Sequence, residues 1–136
     1  MFSHETKVRV RYGETDQMGY AYYGVYASYY EVGRVETLRQ LGLSYKEMEE
    51  RGIMLPVHTF NIIYHKPALY DDELTIKTTI PGMPGVRIKF NYQCFNAEKE
   101  LLNEGEIVLV FVNKETKKPC QPPSDFLDSI EKYFRK

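Results

Sequence analysis

Residues 7–12, Lys-Val-Arg-Val-Arg-Tyr, alternate charged with apolar side chains, the period of a strand wet on one face. The pattern predicts a first strand that stops at Gly13, then a polar loop from Glu14 to Tyr20. From about residue 22 to residue 41, apolar groups recur at helical spacing through Tyr22, Val25, Tyr29, Val32, Val35, Leu38 and Leu41. This predicts one long helix, with Gly42 as its stop. Ser44, with Glu47 three positions on, has the form of a capping box and opens a short helix ending near Gly52. The period then changes to two. Phe60, Ile62 and Tyr64 share a face, as do Leu74, Ile76, Thr78 and Ile80, and again Val86, Ile88, Phe90, Tyr92 and Cys94. Ile107 to Val112 is apolar at every position and predicts a central strand covered on both faces, one cover being the helix.

The connections Tyr70-Asp71-Asp72, Pro81 to Gly85 and Asn96 to Lys99 are short and rich in turn formers, which fits hairpins. A final amphipathic helix is expected from Ser124 to about Phe134. The elements sum to an α+β fold: a strand, a long helix, then a meander of four longer strands, with the helix lying on a strongly curved antiparallel sheet. So small a sheet leaves an edge and an apolar face to cover, so a homo-oligomer is expected.

Composition narrows the class. At 136 residues, 43% hydrophobic and 27% charged, the chain is expected to form a single globular domain over residues 1–136. A net charge of −1 and the lack of any long Lys/Arg run give nucleic acid no basic field. No apolar run approaches the roughly 18 residues of a membrane span, and no apolar leader opens the sequence, so a cytoplasmic setting is expected. Cys94 and Cys120 form no ligand-spaced cluster with His4, His58 or His65, so no metal is expected and both thiols are read as reduced. Nucleophile-elbow, phosphate-loop and dinucleotide glycine patterns are all missing.

Seven of the twelve tyrosines fall between Tyr12 and Tyr30, a clustering that suits either a subunit interface or an aromatic pocket. Asp16 precedes the predicted helix N-terminus, whose unpaired N–H groups attract developing negative charge. A carboxylate there can attack a carbonyl carbon or activate water while the N–H groups polarise the oxygen. Equally, Asp16 can hold its own loop through an Asx turn, with Gly19 at positive φ. Glu31 and Arg34, three apart on the helix, read as a structural pair with each other or a neighbouring subunit. Arg87 and Lys89, on the polar face of their strand, are a local basic patch suited to pyrophosphate or simply to solvent.

Thr15-Asp16, Gly19, Tyr22, Tyr26 and Tyr30-Glu31-Val32-Gly33-Arg34 together resemble the signature of the hotdog-fold acyl-CoA thioesterases of the 4-hydroxybenzoyl-CoA thioesterase-like group, to which the Tol-Pal-associated thioesterase belongs. The likeness runs on through Val57 to Tyr64, Pro67-Ala68, Asp71-Asp72-Glu73-Leu74, Gly85, Asn96-Ala97-Glu98, Leu101 to Glu104 and Lys118-Pro119, nearly the whole chain. It implies a hotdog fold, a dimer or dimer of dimers with sites between subunits, and no cofactor. It also implies hydrolysis of an acyl-CoA to free acid and CoA, with Asp16 as nucleophile or general base and the N–H groups near Tyr23 and Gly24 as the carbonyl-polarising donors. Tyr22, Val25, Tyr26, His58, Arg87 and Lys89 are its substrate-binding candidates. Two positions depart from the pattern: Tyr23 stands where relatives often carry His, and Val25 where they usually carry Asn. Tyr23 still donates a hydrogen bond, but a phenol is a poor proton shuttle at neutral pH. Asp16 is therefore expected to act without a helper histidine. His65-Lys66 reads as a solvated strand end that can lend charge near a ligand. Hydrolysis of acyl-carrier-protein thioesters and non-catalytic acyl-CoA binding in an oligomeric module remain the alternatives.

Overall fold

The computed structural model describes residues 1–135. Strand β1, Phe2–Arg9, is followed by a short 3-10 turn at Tyr12–Glu14 and a second at Tyr23–Val25 that runs straight into helix α1, Tyr26–Gln40. Helix α2, Tyr45–Glu50, leads to β2, Ile53–Met54, β3, Val57–Tyr64, β4, Glu73–Ile80, β5, Arg87–Phe95, β6, Leu101–Val110, β7, Val112–Asn113, and α3, Ser124–Glu131. Five strands form one antiparallel sheet in the order β1-β4-β5-β6-β3, while β2 pairs with β7. This is the α+β arrangement the sequence pattern predicts, with two differences in detail.

The first difference is topological. β4, β5 and β6 form the expected meander, but β3 pairs with β6 at the far edge and β1 takes the place beside β4. The segment between β3 and β4 is therefore a crossing over the end of the sheet. It is held there by the bond from Ala21 N–H to the Ala68 carbonyl, 2.8 Å, and by a bridge between Tyr20 and Leu69. β1 also starts earlier than its apolar residues suggest. Its pairing with β4 runs without a break from Phe2 opposite Ile80 to Arg9 opposite Glu73, carrying the polar His4 and Thr6 on the half-buried face.

The second difference lies in the helix face. The buried stripe of α1 is Tyr26, Tyr29, Tyr30, Gly33, Arg34, Thr37 and Leu38, whereas Val32 is 44% exposed and Tyr22 47% exposed. The stripe keeps helical spacing but is rotated from the one that aliphatic residues mark. Gly33 explains the approach: a Cβ there would meet Thr78 Oγ1 at 2.6 Å and Ile76 Cγ2 at 2.8 Å, so the helix backbone lies directly on β4. Around it the sheet contributes Tyr92, stacked on Tyr30 at 4.3 Å, Phe60, edge-on to Tyr30 at 6.2 Å, and Tyr64, edge-on to Tyr26 at 5.6 Å. Strands from the middle and the edge of the sheet thus reach the same helix. The capping box is present in part, with Ser44 Oγ accepting from Glu47 N–H at 3.0 Å. α3 closes one end through Phe126 against Phe111 and an Arg51–Asp125 pair at 3.0 Å.

Candidate active site

Asp16 sits in a loop that returns on itself. Its N–H donates to the Tyr20 carbonyl at 2.8 Å, Gly19 N–H donates to the Asp16 carbonyl at 3.0 Å, and Gly19 takes φ +78°. Its carboxylate Oδ1 accepts from the N–H groups of Met18 at 2.9 Å and Tyr20 at 3.2 Å. The Asx turn foreseen for this residue is therefore real. It occupies one oxygen, and among the described residues Oδ2 has no hydrogen-bond partner. The carboxylate is thus oriented by its own loop and open on its other side.

Asp16 lines a groove of about 320 Å³ together with Met18, Tyr20, Tyr23, Tyr26 and Tyr64, and with His65, Lys66 and Pro67. Tyr64 Oη donates to the Tyr23 carbonyl at 3.0 Å and so ties the end of β3 to the start of the helix. The N–H of Val25 already bonds the Tyr22 carbonyl, and that of Tyr22 bonds the Glu14 carbonyl, whereas those of Tyr23 and Gly24 have no acceptor among the described residues. These two are the free donors of the helix entrance. Gly24 is tightly placed: a Cβ would lie 2.8 Å from Cε2 of the Tyr22 ring.

Glu14 fixes the loop to the helix. It accepts from Arg11 N–H at 2.9 Å, from the Arg11 guanidinium at 2.9 Å and from Tyr29 Oη at 2.9 Å. Partial burial opposes its ionisation, yet the Arg11 and Tyr29 bonds prevail and hold the carboxyl below its ordinary value. The Tyr29 and Tyr26 phenols are pushed up, chiefly by burial, and stay protonated. Burial likewise pushes the Cys94 thiol up to about 12, which makes it an inert core group.

The structure brings Asp16, Tyr23 and Tyr26 into one groove. Tyr22, Gly24 and Val25 line a neighbouring one of about 370 Å³ with Glu14 and Thr15. His58 is the extra residue of a bulge between Val57 and Thr59, at the far end of β3 from Tyr64. Arg87 and Lys89 alternate with the buried Ile88 and Phe90 and so face away from the helix, with Lys89 paired to Glu106 at 3.1 Å. Within one chain these three stand apart from Asp16. Conversely, His65 and Lys66 share the Asp16 groove, in keeping with a strand end that can lend charge near a ligand, and bring to it a histidine that the helix-entrance segment itself lacks. His65 Nε2 is 3.0 Å from Glu104, and Lys66 pairs with Glu100. The acid partners lie about 40 positions away in sequence, and only the β3–β6 pairing, Tyr64 opposite Asn103, makes them neighbours. Within the chain Glu31 and Arg34 do not pair with each other, and Arg34 is buried between two tyrosine hydroxyls. No cluster of three metal-ligating side chains occurs among the described residues, and none of their helices is long and apolar enough to cross a membrane.

Residues 10–130 match the thioesterase-like superfamily. The chain belongs to that family. Its thioesterase-like relatives include the Escherichia coli acyl-CoA thioester hydrolase YbgC, 35% identical over 88% of this chain and 90% of that protein. The Bacillus subtilis protein YneP is 35% identical over 94% of this chain and 93% of its own length. Among solved structures, the DHNA-CoA thioesterase of Staphylococcus aureus superposes with a TM-score of 0.94 at 33% identity, covering 98% of this chain and 92% of that one. The fold is the hotdog fold of these thioesterases, and the chain is a thioester hydrolase.

Proposed function

We propose that the protein hydrolyses acyl-CoA thioesters at the Asp16 groove, as a single hotdog unit paired with a second copy of itself. The observation that carries this reading is the half-engaged carboxylate of Asp16: Oδ1 is fixed by two backbone N–H groups and Oδ2 has no partner among the described residues, while the unpaired N–H groups of Tyr23 and Gly24 follow a few residues on, Tyr23 in the same groove. In the mechanism, a thioester carbonyl oxygen lies against those N–H groups, which stabilise the oxyanion as the carbon becomes tetrahedral. Asp16 supplies the oxygen that attacks, either its own or that of a water it deprotonates. Collapse of the tetrahedral species expels the CoA thiolate; where Asp16 is itself the nucleophile, water then hydrolyses the mixed anhydride to release the acid and restore the carboxylate. His65, on the groove wall and hydrogen-bonded to Glu104, is available to protonate the thiolate. Tyr22, Tyr26 and Val25 shape the acyl end.

The likeness to YbgC, an acyl-CoA thioester hydrolase, favours CoA over a carrier protein and turnover over mere binding. Edge strand β3 supports the dimer. All but one of its residues are exposed, including Val57 at 54%, Phe60 at 36%, Ile63 at 61% and Tyr64 at 45%, an apolar edge with unpaired backbone groups on one side. Antiparallel pairing of two copies about the strand centre sets His58 of each opposite Ile63 of the other, next to the groove wall at Tyr64. That is how His58 reaches a site from which its own chain holds it apart. Arg87 and Lys89 then remain as outer-face contacts for the CoA phosphates.

The test is thiol release by the purified protein from a panel of short-chain, long-chain and aromatic acyl-CoAs. Release from at least one, at a rate well above that of the Asp16→Asn variant, is expected. Equal rates for the two proteins on every member of the panel would refute the proposal.

A further inference from the structure

Arg34 is a buried cation without a counter-ion. It is 6% exposed, and no carboxylate lies within 4.0 Å of it among the described residues. Its Nε donates to Tyr45 Oη at 2.7 Å and its Nη1 to Tyr92 Oη at 3.0 Å, both neutral acceptors, and Nη2 has no protein acceptor there. Both phenols stay protonated: burial pushes them up, against the opposing pull of the guanidinium. Taking a guanidinium out of water this far costs several kcal/mol unless an anion or a full set of acceptors compensates. Two phenols satisfy two donors, and the charge is met only by the Tyr45 ring, its centroid 6.0 Å from the guanidinium carbon, and by the more distant Glu31 carboxylate that acts on both phenols.

Arg34 lines a groove of about 740 Å³ between the second half of α1, α2 and the segment leading into β3. The walls beside it are apolar, made of Val35, Ile53, Leu55, Pro56 and Val57. The other charges are at the rim. Arg39 is committed to Glu36 at 2.9 Å, Lys46 is exposed and unpaired among the described residues, and Glu31 and Glu49 are exposed to solvent. A cation in the wall with a free donor, a phenol O–H beside it and an apolar surround fit a ligand with a single compact anionic end and a hydrocarbon body. A phosphate would demand more cations and less apolar wall.

We propose that this groove is a second ligand site that takes the carboxylate of an apolar acid, the chemical class that thioester hydrolysis releases. One carboxylate oxygen accepts from Arg34 Nη2, the other from Tyr45 O–H, and the acyl body lies along Ile53 to Val57. The site shares no lining residue with the Asp16 groove of its own chain, and because it is argued to take the product class of the proposed reaction it rests on that reading for its choice of ligand.

Calorimetric titration of the full chain with decanoate tests this, with decanol and CoA as comparison ligands and Asp16→Asn, Arg34→Gln and Lys46→Glu as variants. Decanoate is expected to bind wild type and Asp16→Asn alike, at least tenfold more tightly than it binds Arg34→Gln. It should bind Lys46→Glu more weakly than wild type, while decanol distinguishes none of these proteins. Should Arg34→Gln fail to fold, as circular dichroism would report, Lys46→Glu against decanol carries the comparison. Three results overturn the inference: no decanoate binding to wild type, equal decanoate affinity in the folded charge variants, or loss of binding in Asp16→Asn. Displacement of decanoate by CoA also overturns it, since the groove would then be a nucleotide site. Decanoate binding without any thioesterase turnover would leave this site standing and remove the Asp16 proposal alone.

Discussion

At the scale of single residues, Glu14 and Asp16 divide the labour within one loop. Glu14 anchors it, bonded on one side to Arg11 and on the other to Tyr29 of α1. Asp16 uses one oxygen for the turn, keeps the other without a partner among the described residues, and lines the groove. Because the Glu14 carboxyl is held below its ordinary value in the fold, its contribution to stability is complete above the unfolded-state value and drains away as pH falls through the folded one. Glu14→Gln is therefore expected to be less stable than wild type at pH 7, by about 1 kcal/mol or less once solvent screening of the Arg11 partner is allowed for. The difference should narrow on acidification. Thermal melts of both proteins between pH 7 and pH 3 check it, and a constant difference across that range would contradict the assignment. Asp16 was legible in the sequence as a loop carboxylate before a helix, because its turn and its place in the chain are local. His65 was not legible as a groove residue, since the strand pairing that brings Glu104 to it is not encoded in any nearby spacing.

Among elements, α1 carries the lesson. Apolar periodicity placed a helix over the right residues and caught part of its buried face, Tyr29, Leu38 and Leu41, but missed the rest, because the buried stripe consists largely of tyrosine, glycine, arginine and threonine. Tyrosine buries a large ring while its hydroxyl finds a partner, as Tyr29 does with Glu14 and Tyr30 with Asn103. A glycine lets the helix approach β4 more closely than any other residue would. Gly33→Ala is expected to cost about 1–3 kcal/mol, because its Cβ would press on Thr78 Oγ1 and Ile76 Cγ2, both in the core. Urea denaturation measures the cost. A variant as stable as wild type would show that the helix rests less closely on the sheet than described.

For the whole molecule, the strand order was the feature least open to sequence reasoning. The longer strands were recognisable, four by a period of two and β6 by its continuous apolar end, yet the short β2 and β7 were not, and the place of β3 beside β6 depends on a crossing that no turn motif announces. That placement leaves β3 as an apolar edge and puts Tyr64, at its end, in the Asp16 groove. Ile63, 61% exposed, is where a charge should separate two copies without disturbing either. Ile63→Lys is expected to shift the protein to monomer in light scattering and to lower thioesterase activity at least tenfold, with the fold retained by circular dichroism. A dimer that persists, or a fully active monomer, would remove β3 from the interface.

The central claim is that Asp16 acts on the thioester as well as holding its loop, and Asp16→Asn separates the two. The amide oxygen of asparagine can still accept from Met18 and Tyr20 N–H, so the turn survives while the carboxylate is lost. The decisive measurement is kcat of Asp16→Asn against wild type on the best acyl-CoA of the panel, with melting temperature recorded alongside. A fall in kcat of about a hundredfold or more, with the melting temperature nearly unchanged, is the predicted result. An unchanged kcat would reduce Asp16 to a loop residue and contradict the account.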